Sequence, residues 1–142
     1  MLEIKNLRKK FGQNEVLKGI DLSLKSNEIL SILGSSGSGK STLLRCIAKL
    51  ENSQYDELRC GSNVGFMFQN YALFPHMTVE DNIKFGLKQD RLLSVEIEKR
   101  TKEMLDLVHM YEFKDRKPAQ LSGGQRQRVA LARSLVKKPK LL

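Results

Sequence analysis

Residues 29–42 read Ile29-Leu30-Ser31-Ile32-Leu33-Gly34-Ser35-Ser36-Gly37-Ser38-Gly39-Lys40-Ser41-Thr42. The five residues before Gly34 are mostly apolar, a pattern that predicts a strand buried on both faces of a parallel sheet. A helix is expected from about Lys40 to Leu50, because apolar residues then recur at helical spacing. These are Leu43, Leu44, Ile47 and Leu50. The order of strand, glycine-rich turn and helix predicts an α/β fold.

The glycine-rich turn matches the pattern G-x-x-x-x-G-K-[ST], which holds phosphate groups in nucleotide-binding proteins. Its glycines let successive N–H groups turn inward around an anion, and the positive end of the next helix points at the same place. Lys40 can bring a positive charge to the terminal phosphates, and the Ser41 hydroxyl can ligate a bridging Mg²⁺. The alternative, a flexible Gly/Ser linker, does not explain the flanking apolar run and helix. The predicted phosphate-binding residues are Gly34, Ser35, Ser36, Gly37, Ser38, Gly39, Lys40, Ser41 and Thr42.

The bulk composition is that of one ordinary domain of 142 residues with a net charge of +9. Its 25 Lys and Arg residues are scattered, which indicates a solvated surface, and no nucleic-acid partner is expected. Two cysteines without metal-ligand spacing fit a reducing, cytoplasmic compartment, and Cys46 is predicted to be a small buried hydrophobe. No apolar run approaches the length of a membrane span.

Apolar and polar residues alternate over much of the first half of the chain. Alternation predicts strands over residues 2–5 and 20–24, and a loop or turn is expected over residues 7–14. Residues 51–57 are expected to be a polar connection. A second apolar run at residues 64–68 predicts another buried strand.

Helical periods dominate the second half. Thr78 with Asp81 predicts a capped helix start, and Ser94 is expected to open a longer helix. Ser122 with Gln125 predicts another capped helix start. The buried stripes predicted for the last two helices are Ile97, Thr101, Met104, Leu105 and Val108, and Val129, Ala132, Leu135 and Val136.

A second glycine-containing helix start, Leu121-Ser122-Gly123-Gly124-Gln125, could hold another phosphate group or could be an ordinary N-cap. With it, the chain resembles the nucleotide-binding subunit of an ATP-binding cassette (ABC) transporter along nearly its whole length. Residues 34–41 match the Walker A loop of that family and residues 121–125 match its signature motif. Gln69 stands at the Q-loop glutamine, and Phe11 stands where the family places an aromatic ring that stacks on adenine.

The resemblance implies that two such subunits meet head to tail with ATP and Mg²⁺ between them. Lys40 and Gln69 would be the catalytic residues present, and Ser41 and Gln69 would contact the Mg²⁺. The signature residues Ser122, Gly123, Gly124 and Gln125 would contact nucleotide across the interface. Gln69 would also begin the segment that contacts the transmembrane permease.

The segment at residues 71–79 resembles that of bacterial importers for molybdate, sulfate, ferric iron, polyamines and sugars. This resemblance implies a subunit bound to permease subunits at the cytoplasmic face of the cell membrane, with a solute-binding protein acting indirectly. Within the importers, an oxyanion such as molybdate or sulfate is the expected solute.

The expected domain plan is a partial cassette over residues 1–142. It comprises a nucleotide-binding core at 1–72, a helical subdomain at 73–120, and a signature helix with the start of the Walker B strand at 121–142. Because the family's Walker B aspartate and catalytic glutamate lie beyond these residues, little hydrolysis is expected from the chain alone. Residues 50–64 are fewer than is usual, and Lys49 replaces a common glycine, so the edge sheet is expected to depart from the family pattern.

Two other functions fit the same motifs. One is a soluble ABC-type ATPase acting in translation or DNA repair, although the second cassette or long coiled-coil insertion usual in such proteins is not seen here. The other is a regulatory module that binds nucleotide without turnover.

Overall fold

The computed structural model describes residues 1–61, 63–90 and 92–142. The chain forms two compact units, residues 1–64 with Leu141 and residues 65–140 with Leu142. In the described part of the chain, none of the helices combines the length and apolar character that crossing a membrane would need.

The first unit is built on a long antiparallel hairpin. Strands β1 (Leu2–Phe11) and β2 (Asn14–Leu24) pair from Leu2 opposite Leu24 to Phe11 opposite Asn14. The predicted loop at residues 7–14 is wrong except for the turn at residues 12–13. Cross-strand hydrogen bonds keep the polar residues of that stretch extended, which the alternation rule alone does not capture.

A short third strand, β3 (Glu57–Arg59), pairs antiparallel with β1 and completes a three-stranded sheet of order β2-β1-β3. The shortened stretch at residues 50–64 therefore still supplies an edge strand, which begins at the end of the predicted polar connection. Lys49 has φ 56°, the left-handed conformation that glycine adopts most readily. The backbone here thus keeps a glycine-like turn with a lysine in it.

Helix α1 (Lys40–Ile47) ends earlier than predicted and packs a different face against the sheet. Leu44 and Leu50 are about half-exposed, so their predicted burial is wrong. Leu44 lies one residue away from the i, i+3, i+4 stripe that faces the sheet, and Leu50 lies beyond the end of the helix. Cys46 is buried, as predicted. The buried core of this unit comprises Leu2, Ile4, Leu7, Leu17, Leu43, Cys46 and Ile47.

The two predictions of a buried strand, at residues 29–33 and 64–68, are wrong. Residues 29–33 pair with no other strand in the described part of the chain, and Ile29 and Leu33 are 98% and 91% exposed. In the apolar run at residues 64–68, only Val64 forms a bridge, which is parallel to Leu141. A buried parallel strand needs ladder partners along its length, and the described residues provide none beside residues 29–33.

The second unit is helical. It contains α2 (Val79–Lys88), α3 (Ser94–Leu107) and α4 (Gly123–Leu135), with 3₁₀ turns at Tyr111–Phe113 and Pro118–Gln120. The predicted stripes are confirmed, with Leu135, Ile97 and Met104 only partly buried. The buried core comprises Val79, Ile83, Leu87, Leu105, Val108, Met110, Leu121, Val129, Ala132 and Val136.

Both predicted helix caps are confirmed. The Thr78 hydroxyl accepts a hydrogen bond from the Asp81 amide at 3.1 Å, and Ser122 caps α4 in the same way. Ser94 is the first residue of α3, as predicted, and the N-cap of this helix is Leu93, which makes no side-chain hydrogen bond. A serine at a helix start therefore indicates the boundary but does not guarantee the cap.

Candidate functional site

The phosphate loop, defined here as residues 34–42, follows residues 29–33 and runs into the first turn of α1. Gly37 and Gly39 have φ angles of 81° and 93°, which residues with side chains rarely adopt. The Ser38 amide donates to the Ser35 carbonyl at 3.3 Å and closes the turn. Residues 34–38 are all exposed, so the loop is open to a ligand.

The Lys40 side chain folds back over this loop. Its Nζ donates hydrogen bonds to the carbonyl oxygens of Gly34 at 2.8 Å and Ser35 at 2.7 Å, and lies 3.3 Å from the Ser38 hydroxyl. One ammonium thus ties together both ends of the turn. An incoming phosphate group could displace these neutral carbonyls and bind the same ammonium through its charged oxygens.

The start of α1 is built to face an anion. Its N-cap is Gly39, which offers no side-chain cap, and the Leu43 amide makes the first bond back to Gly39 at 2.8 Å. The amides of Lys40, Ser41 and Thr42 precede that bond, so they are the donors that a helix start leaves for a ligand. The first turn contains no acidic residue that would repel phosphate.

The Ser41 position fits a Mg²⁺ that arrives with phosphate. Ser41 is exposed at the first turn of α1. No cluster of three or more His, Cys, Asp or Glu side chains suited to a metal occurs within the ranges 1–61, 63–90 and 92–142. Mg²⁺ is commonly held by one or two protein oxygens together with substrate phosphates, which is the arrangement that a single hydroxyl beside a phosphate loop can serve.

Gly39 also fixes the phosphate loop to the hairpin. A Cβ at this position would lie 3.1 Å from Val16 Cγ1 and 3.2 Å from Leu17 Cδ2. Only a residue without a side chain lets β2 approach the loop so closely. The position of the loop therefore depends on the hairpin as well as on its own glycines.

Phe11 lies at the end of β1, where it is 48% exposed. It is outside the buried cluster of the first unit, so its ring is available to a ligand and is not a core residue. The Lys9 ammonium lies 4.6 Å from the centre of the ring.

The start of α4 carries the predicted capping box. The Ser122 amide donates to Gln125 Oε1 at 2.8 Å, and the Gln125 amide donates to the Ser122 hydroxyl at 3.3 Å. Gly123 and Gly124 have no atom within 4 Å of a hypothetical Cβ. The two side chains hold the helix start in shape, and the two glycines leave open space beside its amides.

Gln69 is exposed in a turn of the second unit, and the next residues adopt unusual backbone angles. Tyr71 and Ala72 have φ angles of 64° and 44°, each of which costs about 1–3 kcal/mol for a residue with a side chain. The Arg133 guanidinium donates to the carbonyls of Tyr71 and Ala72, both at 2.8 Å. Arg133 therefore holds the backbone that follows Gln69.

Arg133 and Asn82 are the structural residues that sequence reasoning missed. Burial lowers the pKa of Arg133, and yet a guanidinium stays protonated in proteins. Asn82 is fully buried, accepts from the Phe74 amide at 2.8 Å and donates to the Thr78 carbonyl at 2.9 Å. The sequence did carry a signal for Asn82, because it lies between Val79 and Ile83 on the apolar face of α2. A polar side chain buried there must form hydrogen bonds.

We expect Arg133→Met to loosen the backbone after Gln69. Because hydrogen bonds to a charged group contribute about 1.5–3 kcal/mol each, exchange of the Tyr71 amide should rise at least about tenfold. NMR hydrogen exchange would measure this, with Arg128→Met, at an exposed position of α4, as the matched control. Unchanged exchange at Tyr71 would contradict the role given to Arg133.

The predicted site residues fall into two groups. Phe11 and the phosphate loop belong to the first unit, and Gln69 and the signature residues 121–125 belong to the second. The role of each group stays a prediction that depends on its local chemistry. The phosphate loop provides amides, an ammonium and a hydroxyl, and the start of α4 provides open amides beside two glycines.

Several curated proteins are similar in sequence to this chain. The chain is 52% identical to the putrescine transport ATP-binding protein PotG of Escherichia coli, over 100% of this chain and 41% of that protein. It is 48% identical to the sulfate/thiosulfate import ATP-binding protein CysA of Mesorhizobium japonicum, over 99% of this chain and 45% of that protein. The chain therefore spans less than half the length of these curated relatives.

A solved structure of the ATP-binding cassette MJ0796, a dimer bound to ADP and Pi, has the same fold. It matches with a TM-score of 0.87 at 34% identity and covers 98% of this chain and 71% of that chain. The sequence profile described as ABC transporter matches residues 17–142. The chain therefore belongs to the ABC transporter family.

Proposed function

We propose that this chain binds ATP through the phosphate loop as part of the ATP-binding subunit of a bacterial importer. The observation that carries the proposal is the Lys40 ammonium, held across a loop whose helix starts without a side-chain cap. The triphosphate would take over the Lys40 donors and the first amides of α1. Phe11 would stack on adenine, and Ser41 would ligate Mg²⁺, which neutralises phosphate charge when bound.

The second group of residues would act on a nucleotide held by another copy. Ser122, Gly123, Gly124 and Gln125 would present the start of α4 to the γ-phosphate of a facing subunit. The open space beside both glycines and the dimeric, ADP-bound structure that resembles this chain support that role. Gln69 would respond to Mg²⁺ and the attacking water, and the segment after it would contact the permease.

The importer role rests on the relatives. Those named are ATP-binding proteins for putrescine transport and for sulfate/thiosulfate import. We propose that the chain binds permease subunits at the cytoplasmic face of the membrane and that a solute-binding protein acts on it indirectly. The two relatives have nearly the same identity to this chain, so its residues do not favour the expected oxyanion over a polyamine, and the permease would decide the solute.

The proposal is tested by binding and turnover measurements on the 142-residue chain. Calorimetric titration with ATP and Mg²⁺ should show saturable binding, whereas phosphate release should stay near background. We expect little turnover because activating the attacking water requires an acidic residue beside the γ-phosphate, and neither the phosphate loop nor the first turn of α1 contains one. Absence of ATP binding would overturn the proposed site. Robust release that Lys40→Ala abolishes would show that another carboxylate activates water.

A further inference from the structure

Lys9 and Phe11 share one face of β1 because they lie two residues apart in a strand. The Lys9 Nζ is 4.6 Å from the centre of the Phe11 ring. This is within the roughly 6 Å at which a cation is attracted to the negative face of an aromatic ring. The ammonium thus lies over one side of a ring that is otherwise 48% exposed.

The position of the ammonium is fixed by its other partners. Lys9 Nζ lies 3.1 Å from a Glu51 carboxylate oxygen and donates to the Asn52 carbonyl at 2.6 Å. The Lys9 side chain is only 12% exposed, and a partly buried charge needs such partners. Lys9 is therefore held in place between the turn at residues 51–52 and the ring.

The same end of the hairpin adjoins the phosphate loop. Lys9 is paired across the sheet with Leu17. The Leu17 side chain lies 3.2 Å from the position that a Cβ on Gly39 would take. A nucleotide held by the loop would therefore have an exposed aromatic ring, with a cation behind it, beside its binding site.

We propose that Lys9 is a positioning residue for the base of the bound nucleotide. It holds the Phe11 ring and draws on its π electrons, so that the exposed face accepts an electron-rich purine more favourably. The proposal rests on the proposed function, since it requires a nucleotide at the phosphate loop. It assigns to the Lys9–Phe11 pair a contribution to base binding that is separate from phosphate binding.

The test compares ATP with inorganic tripolyphosphate, which has no base. Lys9→Met should weaken ATP binding by about three- to tenfold, the range expected for losing a cation–π contact and the ring position it fixes. Binding of tripolyphosphate should change by less than half as much on a logarithmic scale. Lys9→Arg, which keeps a cation over the ring, should restore ATP binding. Lys10→Met is the matched control, because Lys10 is an exposed lysine next in the strand.

A double variant tests whether Lys9 affects ATP binding through the Phe11 ring. Once Phe11→Ala has removed the ring, adding Lys9→Met should cause no further loss of ATP affinity. Glu51→Gln, which removes the charged partner of Lys9 and leaves only the Asn52 carbonyl to hold it, should weaken ATP binding in the same direction. It provides a second route should Lys9→Met fail to fold. Equal losses for ATP and tripolyphosphate would overturn the inference and leave the nucleotide site intact. Failure of the unaltered chain to bind either ligand would overturn the proposed function itself and the inference with it.

Discussion

Lys40→Ala is expected to lower the affinity of the chain for ATP with Mg²⁺ by roughly 10- to 100-fold, because a hydrogen bond to a charged group contributes about 1.5–3 kcal/mol. Lys40 Nζ already bonds to three oxygens of the phosphate loop, including the Gly34 and Ser35 carbonyls. A bound triphosphate would replace neutral acceptors with charged ones. The substitution should therefore lower the affinity for ATP without unfolding the first unit.

Calorimetric titration would measure the change in affinity, and thermal unfolding without nucleotide would check the fold. Lys18→Ala is the matched control, because it removes one charge from an exposed position of β2 in the same unit. A similar loss of affinity in both variants would mean that net charge alone attracts ATP. Unchanged affinity in Lys40→Ala would remove Lys40 from the site.

Gly39→Ala is expected to destabilise the first unit by about 2–4 kcal/mol, from backbone strain together with overpacking. The backbone at Gly39 has φ 93°, and the added methyl group would lie 3.1 Å from Val16 and 3.2 Å from Leu17. The phosphate loop and β2 would have to move apart. ATP affinity should fall with stability, because the same glycine starts α1.

Gly37→Ala separates the two causes. Gly37 has a comparable φ of 81°, but no atom lies within 4 Å of its hypothetical Cβ. It should therefore cost only the strain, about 1–2 kcal/mol. Urea unfolding of both variants would give the difference as a shift in midpoint at constant slope. Equal midpoints for the two variants would show that contact with β2 does not matter.

The failed strand predictions have a common physical reason. Residues 29–33 have the composition of a buried parallel strand, and yet Ile29 is 98% exposed. Apolar composition favours burial, but a strand exists only where another strand completes its ladder. At residues 7–14 a pairing partner created a strand that the local pattern did not predict. Strand β2 pairs with polar residues there, although their composition predicted a loop or turn.

The sequence by itself determined the features whose causes lie within six residues. The phosphate loop is specified by its glycines and the lysine that follows them, and the caps at Thr78 and Ser122 are specified by a partner three residues later. Such contacts form readily, because short spacing keeps both partners within reach. Helical stripes are equally local, and those of α3 and α4 were predicted correctly.

Tertiary structure alone decided the contacts between residues far apart in the chain. Arg133 reaches the Tyr71 carbonyl 62 residues away, and Lys9 reaches the Asn52 carbonyl 43 residues away. No spacing rule links such pairs, since folding brings them together through the packing of whole elements. The support for the backbone after Gln69 and the cation over the Phe11 ring therefore became visible only in the folded chain.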